Sequence, residues 1–151
     1  RTYVRRGGRV WSLGTDSLRR VVRLRGGVLS GPSAPRIADA LGARPRQPLV
    51  RSEEPATIVS YQDDASLLLF GGTGGAFAGY DAYETLAPFS PPAELLSAAG
   101  PDPDTPVIAG WRLGEGIAIH TGLPQLAAKA RDGDLDAAAL ARRIWTLLGH
   151  G

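Results

Sequence analysis

Val107-Ile108-Ala109-Gly110-Trp111-Arg112-Leu113-Gly114-Glu115-Gly116-Ile117-Ala118-Ile119-His120-Thr121-Gly122-Leu123-Pro124-Gln125 decides how this chain reads. Two short apolar runs meet at Gly114-Glu115-Gly116, the pattern of two strands joined by a tight glycine turn. The second run ends on His120 and opens into a glycine-proline loop. In α/β proteins the carboxyl ends of strands carry many sites, so His120 is the first residue to examine for function.

Downstream, Gln125-Leu126-Ala127-Ala128-Lys129-Ala130 reads as a short helix. Asp134 to Leu148 reads as a long one, capped by Asp134 and stopped by Gly149. Leu140, Ile144, Leu147 and Leu148 fall on one helical stripe, which predicts a core-facing side. Upstream, Pro92-Ala93-Glu94-Leu95-Leu96-Ser97-Ala98-Ala99 fits a two-turn helix with proline near its start and Gly100 beyond its end. Ala56–Tyr61 and Ser66–Phe70 flank Gln62-Asp63-Asp64-Ala65 and predict a hairpin, or else a longer β-rich insertion whose strands pair elsewhere. The glycine-rich Gly71–Gly79 has no lysine, so it reads as a tightly turned loop before it reads as a phosphate cradle. Ile37–Leu41 predicts a short helix. Arg19–Leu24 is either helix or strand.

At the start, Tyr3-Val4 before Arg5-Arg6-Gly7-Gly8 looks like the last turn of a helix stopped by glycine, and Arg9-Val10-Trp11-Ser12-Leu13 like a strand. Gly14-Thr15-Asp16-Ser17 follows as a turn able to cap a helix near Leu18. The lack of any methionine, together with this truncated opening, leads us to expect that residue 1 is a boundary inside a longer polypeptide.

The 151 residues are enough for one core, and 43% apolar with 21% charged residues is a globular composition. No cysteine is present, which excludes disulfides, thiolate nucleophiles and sulfur-ligated zinc. With only His120 and His150, a histidine-rich metal site lacks ligands, and no cofactor or metal is expected. No apolar run is long enough to span a bilayer. Net charge is +2, yet residues 1–51 hold 12 basic and two acidic residues, a balance of +10, and residues 52–151 hold five basic and 13 acidic, a balance of −8. Attraction between the halves explains the split better than nucleic-acid binding, because the arginines are dispersed and no zinc finger or RNA-binding motif accompanies them.

The helix, double glycine and strand of Tyr3-Val4 and Gly7-Gly8-Arg9-Val10-Trp11-Ser12-Leu13-Gly14, with the late hairpin Gly114–Gly122, resemble the class I glutamine-amidotransferase-like superfamily. Within it they are most similar to the amidotransferase-like domains attached to N,N-dimethylformamidase-type large subunits and other bacterial proteins. The two patterns span about a fifth of the chain. The resemblance implies an α/β fold with an open, mostly parallel, doubly wound sheet of flavodoxin-like type, strands upstream of residue 1, and a β-rich insertion. It also implies a single amidotransferase-like domain, whose partner is the upstream part of the polypeptide or a companion chain. The family's nucleophile elbow would fall near Leu13-Gly14-Thr15-Asp16-Ser17, where no cysteine stands, which argues against glutamine hydrolysis.

Three functional readings follow. The first is a catalytically incomplete domain with a structural, assembly or small-ligand-binding role, its altered pocket formed by Gly14, Asp16, Trp111, Thr121 and Gly122. The second is a divergent hydrolase with Thr15 or Ser17 as nucleophile, His120 as base, and Glu115 or Asp16 orienting the imidazole. The third is anion or nucleic-acid binding through the basic first third. Asp63-Asp64 and Asp102-Pro103-Asp104 read as turn residues, and Trp11 and Trp145 as packing residues.

Overall fold

A computed structural model of the chain describes residues 2–14, 24–29, 45–86, 96–100, 102 and 104–149. In chain order the elements are α1 (Thr2–Arg5), β1 (Arg9–Leu13), β2 (Leu24–Arg25), β3 (Val28–Leu29), β4 (Pro45–Asp63), β5 (Ala76–Leu86), β6 (Leu96–Ala99), β7 (Pro106–Leu113), β8 (Gly116–Thr121), α2 (Leu126–Arg131) and α3 (Leu135–Gly149). Six strands form one open sheet in the order β1-β8-β7-β6-β4-β5, and β2 pairs only with β3.

The fold is α/β, but the sheet is mixed and mostly antiparallel. Within the six strands only β1 and β8 run parallel; β8–β7, β7–β6, β6–β4 and β4–β5 are antiparallel. The expectation of a mostly parallel sheet is therefore corrected for the described residues. The physical reason lies in the connections: β7 and β8 are joined by a two-residue turn, and parallel neighbours need a crossover of a dozen residues or more. No helix among the described residues is long and apolar enough to cross a membrane.

The hairpin 107–121, the opening helix end, β1 and both late helices form where the sequence predicts them. Gly7 stops α1 at φ +98°, a conformation that suits glycine. The Asp134 carboxylate accepts the Ala137 N–H at 2.9 Å and caps α3.

Two predicted elements are replaced. Ser66–Phe70 is no strand, because the preceding aspartates capture its backbone: Asp64 accepts the Ser66 and Leu67 N–H groups, and Asp63 accepts those of Leu69 and Phe70. This local turn competes with the ladder and wins. The partner of Ala56–Tyr61, which lies within β4, is instead β5 on one side and β6 on the other, the arrangement of a longer β-rich insertion. The helix expected over 92–99 gives way at its end to β6. Its backbone pairs with both β4 and β7, and the small, buried Ala98 and Ala99 fit between them. The expected helices near Leu18 and at 37–41, and all but Leu24 of the helix-or-strand segment Arg19–Leu24, lie outside the described residues, as do half of the basic residues of the first third.

The sheet has two unlike faces. On one, Ile58, Phe77, Tyr80, Tyr83, Ile117 and Ile119 pack against Leu126, Ala137, Leu140 and Ile144 of α2 and α3. The predicted α3 stripe is this contact, and full burial of each large apolar side chain stabilises by about 1.5–3 kcal/mol. The other face holds a smaller cluster, Val4, Leu86, Ala109, Trp111 and Ala118, with Val10 and Leu113 against it. Among the described residues, His120 lies on this second face.

Candidate functional site

Strand alternation places the site. In β8, Ile117, Ile119 and Thr121 point to the helix-covered face, which leaves Ala118 and His120 on the other. The parallel register sets Ser12 of β1 beside His120, and Ala109 of β7 flanks it on the far side. Alanine there leaves room over the imidazole. Ser12 Oγ lies 3.0 Å from His120 Nδ1.

The third member comes from the other edge strand. The end of β5 turns back over the end of β8, where the Glu84 N–H donates to the Gly122 carbonyl at 2.7 Å and the Gly122 N–H donates to the Val107 carbonyl at 2.8 Å. A Cβ at position 122 would stand 2.4 Å from the Glu84 oxygen, so glycine is what permits this approach. The turn delivers Glu84 Oε1 to 3.2 Å from His120 Nε2. That contact lies off the line of a hydrogen bond, and among the described residues Nε2 has no hydrogen-bond partner.

Ser12, His120 and Glu84 thus form a linear set on the second face. Their exposures are 7%, 5% and 1%, so solvent barely reaches them. An ionised Glu84 favours the tautomer with the proton on Nε2, leaving the Nδ1 lone pair to accept from the Ser12 hydroxyl. The acid, imidazole and hydroxyl then have the order of a hydrolase triad, with the two ring nitrogens exchanged relative to the usual assignment.

Among the described residues, the remaining parts of a hydrolase site are not assembled around them. The nearby backbone donors are engaged: the Gly14 N–H donates to the Thr121 carbonyl at 2.9 Å, the Gly122 N–H to Val107 and the Glu84 N–H to Gly122. An oxyanion needs such donors unoccupied and converging on it.

The predicted site residues separate as follows. His120 is central. Gly14, at φ +83°, ends β1 two residues after Ser12. Trp111 is buried in the cluster on the same face as His120. Thr121 points to the opposite face, where its hydroxyl accepts the Trp11 indole N–H at 3.0 Å. Gly122 forms the seam with β5. Glu115 sits exposed on the turn at the far end of β8, its N–H bonded to the Arg5 carbonyl, and does not meet His120. Thr15, Asp16 and Ser17 lie outside the described residues.

Ser12 and Glu84 are the residues that sequence reasoning missed. Ser12 was legible only with the β1–β8 register in hand. The β-prone Tyr80, Tyr83 and Thr85 were a signal for the strand that carries Glu84, obscured by the glycines before it.

Elsewhere, the Asp64 carboxyl is held below the ordinary carboxylate range, chiefly by the Ser66 hydroxyl and backbone N–H. Burial, with Asp134 and Asp136 nearby, pushes the Tyr80 phenol above its ordinary range. Lys129 Nζ lies 4.9 Å from the centre of the Tyr80 ring. Tyr80 is therefore a protonated core residue and no candidate base. No protein-family model, curated protein or solved structure matches the chain.

Proposed function

We propose that this chain is a catalytically incomplete amidotransferase-like domain, in which Ser12, His120 and Glu84 bind three strand ends together and serve an assembly or small-ligand-binding role in a larger polypeptide. The observation that carries this reading is the buried set itself: an imidazole held between a hydroxyl and a carboxylate, with the adjacent backbone donors bonded within the fold. The absence of cysteine supports the loss of glutamine hydrolysis. The partner in this proposal is the upstream part of the polypeptide or a companion chain. The position of β1 at the sheet edge, parallel to β8, supports it, because a further parallel strand added there would extend the sheet towards the doubly wound, flavodoxin-like form.

The test is labelling of the full chain with a fluorophosphonate, together with an assay for ammonia release from glutamine. The expected result is no adduct and no ammonia, while His120→Ala lowers the melting temperature. An adduct on Ser12 overturns this reading.

That adduct would establish the second reading, a divergent hydrolase, which the 3.0 Å contact between Ser12 and His120 favours. The expected chemistry is transfer of the Ser12 proton to Nδ1 as Oγ adds to an acyl carbon, then return of that proton to the leaving group as its bond to the acyl carbon breaks, with Glu84 holding the imidazolium in between; water then releases the acyl group from Ser12 by the same route. Ser12→Ala must then abolish turnover.

A further inference from the structure

A second site lies away from the Ser12–His120–Glu84 set. Gly71 and Gly72 of the glycine-rich loop face Ala139, Arg142, Arg143 and Thr146 of α3 across a groove of about 390 Å³. This volume is within the range of small-molecule sites. The loop has no cation of its own, and α3 supplies two.

Arg143 is fixed in place: its Nε donates to the Gly71 carbonyl at 3.3 Å. A Cβ at position 71 would meet the Leu68 carbonyl at 2.8 Å and Arg143 Nη2 at 3.3 Å, so glycine lets the guanidinium lie against the loop. That single bond leaves the terminal nitrogens of Arg143 free to donate. Among the described residues neither Arg142 nor Arg143 forms an ion pair. Gly72, at φ +83° and exposed, makes no hydrogen bond among the described residues, so its N–H is also available. The acid beside the loop is Asp136, whose carboxylate already accepts the Gly74 N–H at 2.7 Å.

We infer that this groove binds the phosphate of a small phosphomonoester, with Arg142 and Arg143 holding the anion and the Gly72 N–H completing its shell. Two planar guanidinium groups provide paired donors that suit phosphate oxygens. The groove is larger than one phosphate, and no aromatic ring lines it to stack a base, which favours a small polar alcohol as the rest of the ligand.

The experiment is an NMR titration of the full chain with glycerol phosphate, inorganic phosphate, chloride, and vesicles containing anionic lipid. The expected result is saturable shifts confined to residues 71–73 and 139–146, tighter for glycerol phosphate than for inorganic phosphate. Arg142→Gln should weaken binding about tenfold, the size of one charge-assisted hydrogen bond. Arg142→Gln with Arg143→Gln should abolish it, and Lys129→Gln should leave it unchanged. Arg142 is exposed and its side chain forms no ion pair among the described residues, so its variant keeps the test valid if loss of Arg143 loosens the loop. Equal shifts with chloride, affinity unchanged in the double variant, or binding to vesicles alone each overturn the inference.

Discussion

The two faces of the sheet solve burial in opposite ways. Under α2 and α3 the face is apolar, with the Trp11–Thr121 hydrogen bond at its border, and packing holds it. On the other face a hydroxyl, an imidazole and a carboxylate share space with a few apolar side chains. Packing tolerates substitutions of similar volume, whereas a polar set fails when one partner goes, because the others stay buried without it. The helix face therefore supplies most of the stability, and the second face supplies geometry.

The largest expected effect lies under the helices. Leu140→Ala should cost about 2–5 kcal/mol in denaturant unfolding, since its site is closed on all sides. Glu84→Ala should cost about 1–3 kcal/mol by leaving His120 Nε2 without its carboxylate, and should shift the His120 ring resonances. A loss at Glu84 larger than that at Leu140 would break the comparison. Ser12→Ala should cost about 1 kcal/mol, and Asp134→Ala a similar amount through loss of the α3 cap. Trp145, expected to pack, stands instead on the outer side of α3 at 72% exposure, so Trp145→Ser should change stability by less than about 0.5 kcal/mol.

The smallest effect is local and depends on pH. Because the folded Asp64 carboxyl is depressed below its ordinary value of 3.8, its contribution is complete above that value and is lost as pH falls through the lower folded one. Amide exchange at Ser66 and Leu67 should therefore quicken only under strongly acidic conditions, and Ser66→Ala should move that onset to higher pH.

The helix face was largely legible in the sequence. Leu140, Ile144, Leu147 and Leu148 recur at helical spacing, and an aspartate and a glycine bound the helix that carries them. The hairpin under it was legible because Gly114 and Gly116 interrupt two apolar runs. The second face was half legible. His120 stands out, but which hydroxyl meets it depends on a parallel register between segments more than 100 residues apart, and no local pattern encodes that. Glu115 is nearer in sequence yet lies at the wrong end of the strand. Glu84 arrives through a backbone seam at Gly122 that only tertiary contact reveals. Asp63 and Asp64 did read as turn residues, but their grip on the following amides displaced a strand that composition favoured.

The separation of 108 residues between Ser12 and His120 also bears on how the chain folds. Closing so long a loop carries an entropic cost before any contact repays it, and contacts of this span slow folding. The hairpin and both late helices are local and can form early, whereas β1 has to be captured from the opposite end of the chain. Docking of β1 is what sets Ser12 beside His120, so the His120 ring resonances are the natural probe of that long-range contact.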